Sequence, residues 1–277
     1  MPRHPYSTGR ARKKHQQVLY MKFGIGGAVA FIVVVGLLLL LRQDSVLIST
    51  ISFKGLNVLT ESELKPLVET QLAGSYAFLV PRSSSFFYPK RSIEHSLLVE
   101  QKRINEVKAS REDFTHIQVS VLEREPAGIW CMRENDSCYL LDENGYIFAE
   151  SPSFTGDVYF KYHGIIEGNP IGTNFLPPDE FHTLVFFVAK MKELSLAPIS
   201  LSLIDDEYAI TLKEGGKVIF VRGDSLDRVL ENLETALKAP SFKDRSLKDL
   251  EYIDLRFPNR VVHKWKQSAE ESNTLGQ

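Results

Sequence analysis

The chain predicts an α+β protein: an N-terminal transmembrane helix, a small β-α-α-β-β module, and a β-rich domain with two helices packed on a mostly antiparallel sheet. Three observations carry this. Residues Phe23–Leu41 are uncharged and mostly aliphatic without interruption. Beyond them, short segments switch between the period of a strand and that of a helix. After residue 125, strand-like runs separated by Asn-Gly, Gly-Gly and Pro-Asn turns take over.

At about 1.5 Å per residue the apolar run spans roughly 28 Å, close to the hydrocarbon thickness of a bilayer. Six basic residues precede it (Arg3, Arg10, Arg12, Lys13, Lys14, Lys22) with no acid among them. Positive charge resists translocation, so the head is expected in the cytoplasm and the rest outside the cytoplasmic membrane, as periplasmic or extracellular chain. A cleaved signal peptide needs a small-x-small site, and Leu40-Leu41-Arg42-Gln43-Asp44-Ser45 offers none. A buried soluble helix fits less well, because the run has no polar face. The expected divisions are a basic cytoplasmic tail (1–22), the span (23–41), the small module (45–124), the β-rich domain (125–265) and a disordered polar tail (266–277). Beyond the head lie 27 of the chain's 33 basic residues and all 35 acidic ones. That mildly acidic balance, without a basic stripe, argues against nucleic acid as a partner. Gly24 and Ala28 form a small-xxx-small pair, a common and weak helix-packing signal.

In the module, Ile51 and Phe53 alternate with polar residues and the strand ends at Gly55. Thr60-Glu-Ser-Glu63 reads as a capping box, with Leu64, Leu67, Val68 and Leu72 at helical spacing; Pro66 implies a late start or a kink. A loop with Pro81 and three serines leads to a second helix, whose face runs Ile93, Leu97, Glu100/Gln101 and Ile104. Strands follow at Glu106–Ser110 and Phe114–Leu122.

In the β-rich part, a hairpin turning at Arg133–Asp136 sets Cys131 opposite Cys138, Trp130 opposite Tyr139 and Ile129 opposite Leu140. Directly opposed side chains are close enough for a disulfide, which an oxidising exterior would preserve; two free half-buried thiols are the alternative. Asn144-Gly145 turns the next hairpin. Pro177–Leu194 is a helix with Phe181, Leu184, Val185, Val188 and Met191 on one face. Ile199–Ile204, Tyr208–Lys213 and Lys217–Val221 form a meander with Gly215-Gly216 at its last turn. Asp224 caps a helix bearing Leu226, Val229, Leu230, Leu233 and Leu237 that stops at Pro240. Leu250–Phe257 and Arg260–Trp265 close the chain as strands.

Catalytic patterns are missing. GxSxG, Walker-type, HExxH and CxxCH sequences do not occur, and the seven histidines are scattered. His116 and His182 fit solvated or core-edge positions. Asp142-Glu143 and Asp205-Asp206-Glu207 fall at turns, where acids favour the surface. The reading is therefore non-enzymatic, with no cofactor and no metal.

The order of elements resembles the bacterial cell-division family FtsQ/DivIB. Three places carry the likeness: Ile51-Ser-Phe-Lys-Gly-Leu-Asn57; Ile117 to Trp130 (…Glu-Arg-Glu-Pro-Ala-Gly-Ile-Trp) with Tyr139–Phe148; and Tyr252-Ile-Asp-Leu-Arg-Phe257 with Val261–Trp265. Asn105, where the family often has Pro, and the cysteine pair depart from its pattern. The resemblance implies a POTRA module followed by a β domain, and a divisome scaffold at the septum. It also implies small bitopic coiled-coil partners (FtsB/FtsL or DivIC-like) and a role in regulating septal peptidoglycan synthesis. It places Tyr252, Asp254, Arg256, Val261, Val262 and Trp265 at the partner surface, where a final strand could accept an added strand. A plain core strand pair is the bland reading of the same segment. Another POTRA-bearing assembly factor, or a membrane-tethered enzyme or sensor, are the competing classes.

Overall fold

The computed structural model describes residues 9–132, 137–154, 156, 158–243 and 245–266; the expected turn at Arg133–Asp136 and nearly all of the expected polar tail lie outside them. The chain is α+β and divides into two compact units, Met1–Glu123 and Arg124–Gln277.

The first unit opens with α1 (Gly9–Leu40), so the helix continues back into the basic head. Its stretch Tyr20–Leu40 is long and apolar enough to cross a membrane, with a mean hydropathy of 2.7. After it come β1 (Thr50–Lys54), α2 (Glu61–Leu72), a small hairpin of β2 (Ser75–Tyr76) and β3 (Val80–Pro81), α3 (Lys90–Glu100), β4 (Ile104–Arg111) and β5 (His116–Glu123). The sheet order is β1-β5-β4, with β1 parallel and β4 antiparallel to the central strand. Leu64, Val68, Ile93 and Leu97 from the helices meet Ile117 and Val119 of β5 in one core. α2 starts at Glu61 rather than late. The Thr60 N–H donates to the Glu63 carboxylate at 2.8 Å, and Pro66 leaves unpaired only the carbonyl of exposed Ser62 in the first turn. Ile104 belongs to β4, not to the α3 face, and the last strand begins at His116 rather than Phe114, which is exposed. The outer side of β4 is blunted where the Ala109 N–H donates to Glu94 at 2.9 Å.

Two features lock the end of this unit. Glu123 is buried, and its carboxylate accepts the backbone N–H groups of Asn57, Val58 and Leu59 at 2.7–3.1 Å. Gly55 has φ +81°, and a Cβ there would lie 2.2 Å from the Val121 carbonyl oxygen. Only glycine allows that approach.

The second unit contains β6 (Gly128–Cys131), β7 (Cys138–Leu141), β8 (Ile147–Glu150), β9 (Lys161–His163), α4 (Pro178–Glu193), β10 (Pro198–Ile204), β11 (Glu207–Leu212), β12 (Lys217–Val221), α5 (Leu226–Lys238), α6 (Pro240–Lys243), β13 (Leu250–Asp254) and β14 (Val262–Trp265). They build a mixed nine-stranded sheet in the order β14-β13-β12-β11-β10-β9-β6-β7-β8. Parallel joins occur at β12/β13, β9/β10 and β6/β9, and the rest are antiparallel. One sheet face and the helices share a core that includes Trp130, Phe181, Phe187, Phe220, Leu233 and Ile253. The other face carries Ser200, Ser202, Thr211 and Lys217, which are half-buried or exposed. At its β6–β8 end lies a smaller apolar cluster of Ile129, Cys131, Leu140 and Phe148.

Several expectations need correction here. Among the described residues three helices stand in this unit rather than two, because Pro240 ends α5 and opens α6, the first-turn position a proline tolerates. The α5 cap is Ser225; Asp224 instead pairs with Arg228 at 2.6 Å. Asp142 is not a solvated turn acid. It is 4% exposed, accepts the N–H groups of Asn144 and Tyr146, and pairs with Arg124. Arg124 also lies over the Tyr146 ring at 4.3 Å.

Cys131 pairs with Cys138, Trp130 with Tyr139 and Ile129 with Leu140 across β6 and β7, and the two sulfurs are bonded with Cα atoms 4.0 Å apart. The next hairpin turns through Gly145 at φ +75°, where a Cβ would meet the Phe181 ring at 2.8 Å.

Two predictions follow from these contacts. Replacing both cysteines by serine should lower stability by about 2 kcal/mol at most, since the closed loop is short, measured as a denaturant midpoint with the fold retained. Glu123→Ala should cost about 2 kcal/mol by stranding buried amides, and Glu123→Gln less, because an acceptor oxygen remains; urea titration of both variants checks the order.

Candidate functional site

The ends of the large sheet are not equivalent. At β8, the chain covers its own edge: Ile147 N–H donates to the Thr173 carbonyl and Gly172 N–H to that of Ile147, at 2.9 and 2.8 Å. At the opposite end β14 pairs only with β13, and among the described residues no other strand or loop takes up its outer side. A strand with one row of backbone donors and acceptors unmet is a template for strand addition.

The register pairs Val262 with Asp254, His263 with Ile253, Lys264 with Tyr252 and Trp265 with Leu250, with an irregularity at Glu251. Alternation then sorts the side chains. His263 and Trp265 share the helix-side face, where Phe242 of α6 lies 4.8 and 5.1 Å from their rings. Arg245 stands over Trp265 at 5.4 Å. Val262 and Lys264 take the open face with Tyr252. Lys264 donates to Glu251 at 2.9 Å, an exposed cross-strand pair of small energetic value.

Of the residues expected at a partner surface, the structure places Val262 and Trp265 on the edge strand itself. Val261 lies just before it and packs on the main core. Tyr252 and Asp254 stand on the penultimate strand, and Arg256 follows it. Asp254 is buried and serves an internal network: Arg256 donates to both its oxygens at 2.9 and 2.7 Å and reaches Glu207 at 2.7 Å. This charge-assisted fork holds the Asp254 carboxyl below its ordinary range. A second fork joins Arg222 to Glu180 at 2.8 Å through two nitrogens, with the Tyr208 hydroxyl donating to the same carboxylate. It holds Glu180 low, while burial pushes Tyr208 up. Both forks tie strands to their surroundings, and neither lies on the outer side of β14. Phe242, His263 and Lys264 were not singled out from sequence. The two-residue spacing of His263 and Trp265 carried a signal, and Phe242 carried none.

Other candidate chemistry is sparse. His116 shares a hydrogen bond with Ser52 at 2.8 Å and lies 3.4 Å from the Glu112 carboxylate, and His182 shares one with Asn144 at 2.9 Å. Among the described residues no group of three or more His, Cys, Asp or Glu is placed to hold a metal ion. A cleft of about 420 Å³ is lined by Cys138, Tyr139, Glu150 and Lys161 among others.

Asp254→Asn should cost about 1–2 kcal/mol at neutral pH by weakening a hydrogen-bonded ion pair that is only partly shielded from water. The native carboxyl binds its proton more weakly than the unfolded one, whose pKa is near 3.9. Its contribution is therefore complete above about pH 5 and is lost as pH falls through the native value. Urea midpoints at neutral and acid pH should show a shallower acid loss in the variant. Compared with protein-family models and with curated proteins, the chain has no match in either.

Proposed function

We propose that this protein is a membrane-anchored, non-enzymatic scaffold of the bacterial division machinery, similar to FtsQ/DivIB. Its β14 edge takes up a strand from a small bitopic coiled-coil partner of the FtsB/FtsL or DivIC kind. The observation that carries the reading is that, among the described residues, nothing covers the outer side of Val262–Trp265, in a segment that resembles the family's closing strands. In support, the first unit runs β-α-α-β-β, interrupted by the short β2–β3 hairpin, around a three-stranded mixed sheet, directly after a helix able to cross a membrane. Six basic residues before the span and only Arg42 just after it support a cytoplasmic N-terminus and an exported remainder. Through such docking the scaffold would help regulate septal peptidoglycan synthesis.

In strand addition the backbone supplies the pairing and alternate side chains the selectivity. Lys264 and Val262 on one face, and His263 and Trp265 on the other, would frame the incoming strand. Bulk at Trp265, already seated on Phe242, suits an anchor near the interface centre.

Photo-crosslinking amino acids at Val262 and Lys264 of the full-length protein should capture the small partners in cells, and the same group at mid-sheet Ser200 should not. Truncation after Asn259 removes β14 while keeping β13, and should reduce co-purification to background in protein that still resists limited proteolysis. Undiminished capture by the folded truncation, with silence at both edge crosslinkers, would sink the docking reading.

A further inference from the structure

The β2–β3 hairpin carries apolar side chains in an unusual place. Its tip is Ala77-Phe78-Leu79, in which Ala77 and Phe78 adopt φ values of +46° and +63°. Non-glycine residues enter that left-handed region only when surroundings impose it. The outcome is a Phe78 side chain that is 89% exposed, next to Leu79 at 53%. A soluble module gains nothing from presenting a phenylalanine to water on a strained turn.

The position of the tip identifies what it meets. α1 ends at Leu40, and Arg42, two residues later, donates from Nη2 to the Phe78 carbonyl at 2.7 Å and from Nε to that of Leu79 at 3.2 Å. Two residues of extended chain cover at most about 7 Å. The polar layer flanking the hydrocarbon core is about 5–7 Å deep on each side. Arg42 therefore sits within the headgroup layer when α1 spans, and it holds the tip at that level. The hold is not a single contact. Ile48 N–H donates to the Ser83 carbonyl at 2.8 Å and Ser85 N–H to that of Val46 at 2.9 Å, so the loop is strapped along the segment leaving the helix. Behind the apolar tip, Arg82 lies over the half-exposed Tyr76 ring at 5.5 Å. An apolar point backed by Tyr and two Arg side chains has the layering of a membrane-interface anchor.

We propose that Phe78 and Leu79 insert into the outer leaflet beside α1, as a second, non-covalent attachment that fixes the orientation of the first unit on the bilayer. The occupant is the lipid of the membrane that α1 crosses. This rests on the membrane-anchor reading above, and the experiment separates the two.

In the oxidised full-length chain both native cysteines are bonded, so a single new cysteine is the only thiol available for a nitroxide label. Phe78→Cys, Ile32→Cys within the span and Glu69→Cys on the exposed side of α2 would each be labelled in vesicles of phosphatidylglycerol and phosphatidylcholine. Collisions with oxygen report the apolar phase, and those with a water-soluble nickel chelate report water. The Phe78 site should collide with nickel severalfold less than Glu69 and with oxygen severalfold more, approaching Ile32. Labels at Phe78 and at the neighbouring Leu79 that are both as open to nickel as Glu69, with Ile32 shielded, overturn the insertion while leaving the anchor in place. Nickel access at Ile32 removes the anchor and the insertion together. A second variant, Leu79→Cys, guards against loss of the Phe78 ring having itself released the tip, and water-like access at both sites overturns the proposal.

Discussion

A sheet with one buried face must still satisfy the backbone at its two ends, and that constraint governs the larger unit. Each edge strand presents N–H and C=O groups that water meets only partly and that any extended segment can meet better. The chain answers at β8 with its own loop, through Ile147, Gly172 and Thr173. Among the described residues it gives no such answer at β14. The same economy appears in the first unit, where Glu94 caps the Ala109 amide on the outer side of β4. Among the described residues, Val262–Trp265 differs from β8 and β4 in having no backbone or side-chain group of the chain on its outer side.

The residues at the unit boundary are held by opposite devices. Glu123 fastens the end of β5 to three consecutive amides of the loop after β1, closing the first unit on itself. Its neighbour Arg124 is held by Asp142 and the Tyr146 ring in the second. Adjacent side chains of opposite charge thus reach partners in different units. This gives Glu123 and Arg124 a physical role that depends on no resemblance: each residue pins one unit's terminus.

Local patterns were legible, and long-range ones were not. Alternation around Cys131 and Cys138 was enough to state their register, because a hairpin involves only nearby residues. The Gly215-Gly216 turn and the apolar stripes of α4 and α5 could be read for the same reason. Asp142 was misread as solvated because its partner stands 18 positions back. β9 left no trace, since three residues, Lys161–His163, are too few to show a period; yet it joins β6 to β10 and so merges two strand groups into one sheet. The site was half legible. That the chain ends in strands follows from its alternation, whereas the place of β14 at the sheet's end depends on the parallel β12–β13 join across two helices. The Phe242 shelf under Trp265 brings together residues with no local relation.

Four residues make a short docking strand, offering only a few backbone hydrogen bonds, each of modest net value in water. On the proposed reading, strand pairing alone would bind weakly. A partner anchored in the same bilayer changes the arithmetic. Confinement of both chains to one membrane raises the effective concentration of the incoming strand, so weak pairing becomes sufficient when geometry permits. Geometry then becomes the controlling variable, since a flexible tether spreads its module over many orientations and heights. If the Phe78–Leu79 tip inserts as proposed, the first unit itself is held at two points and samples fewer of them. On that reading, selectivity in a short strand addition comes from confinement to a shared membrane more than from the tightness of the pairing itself.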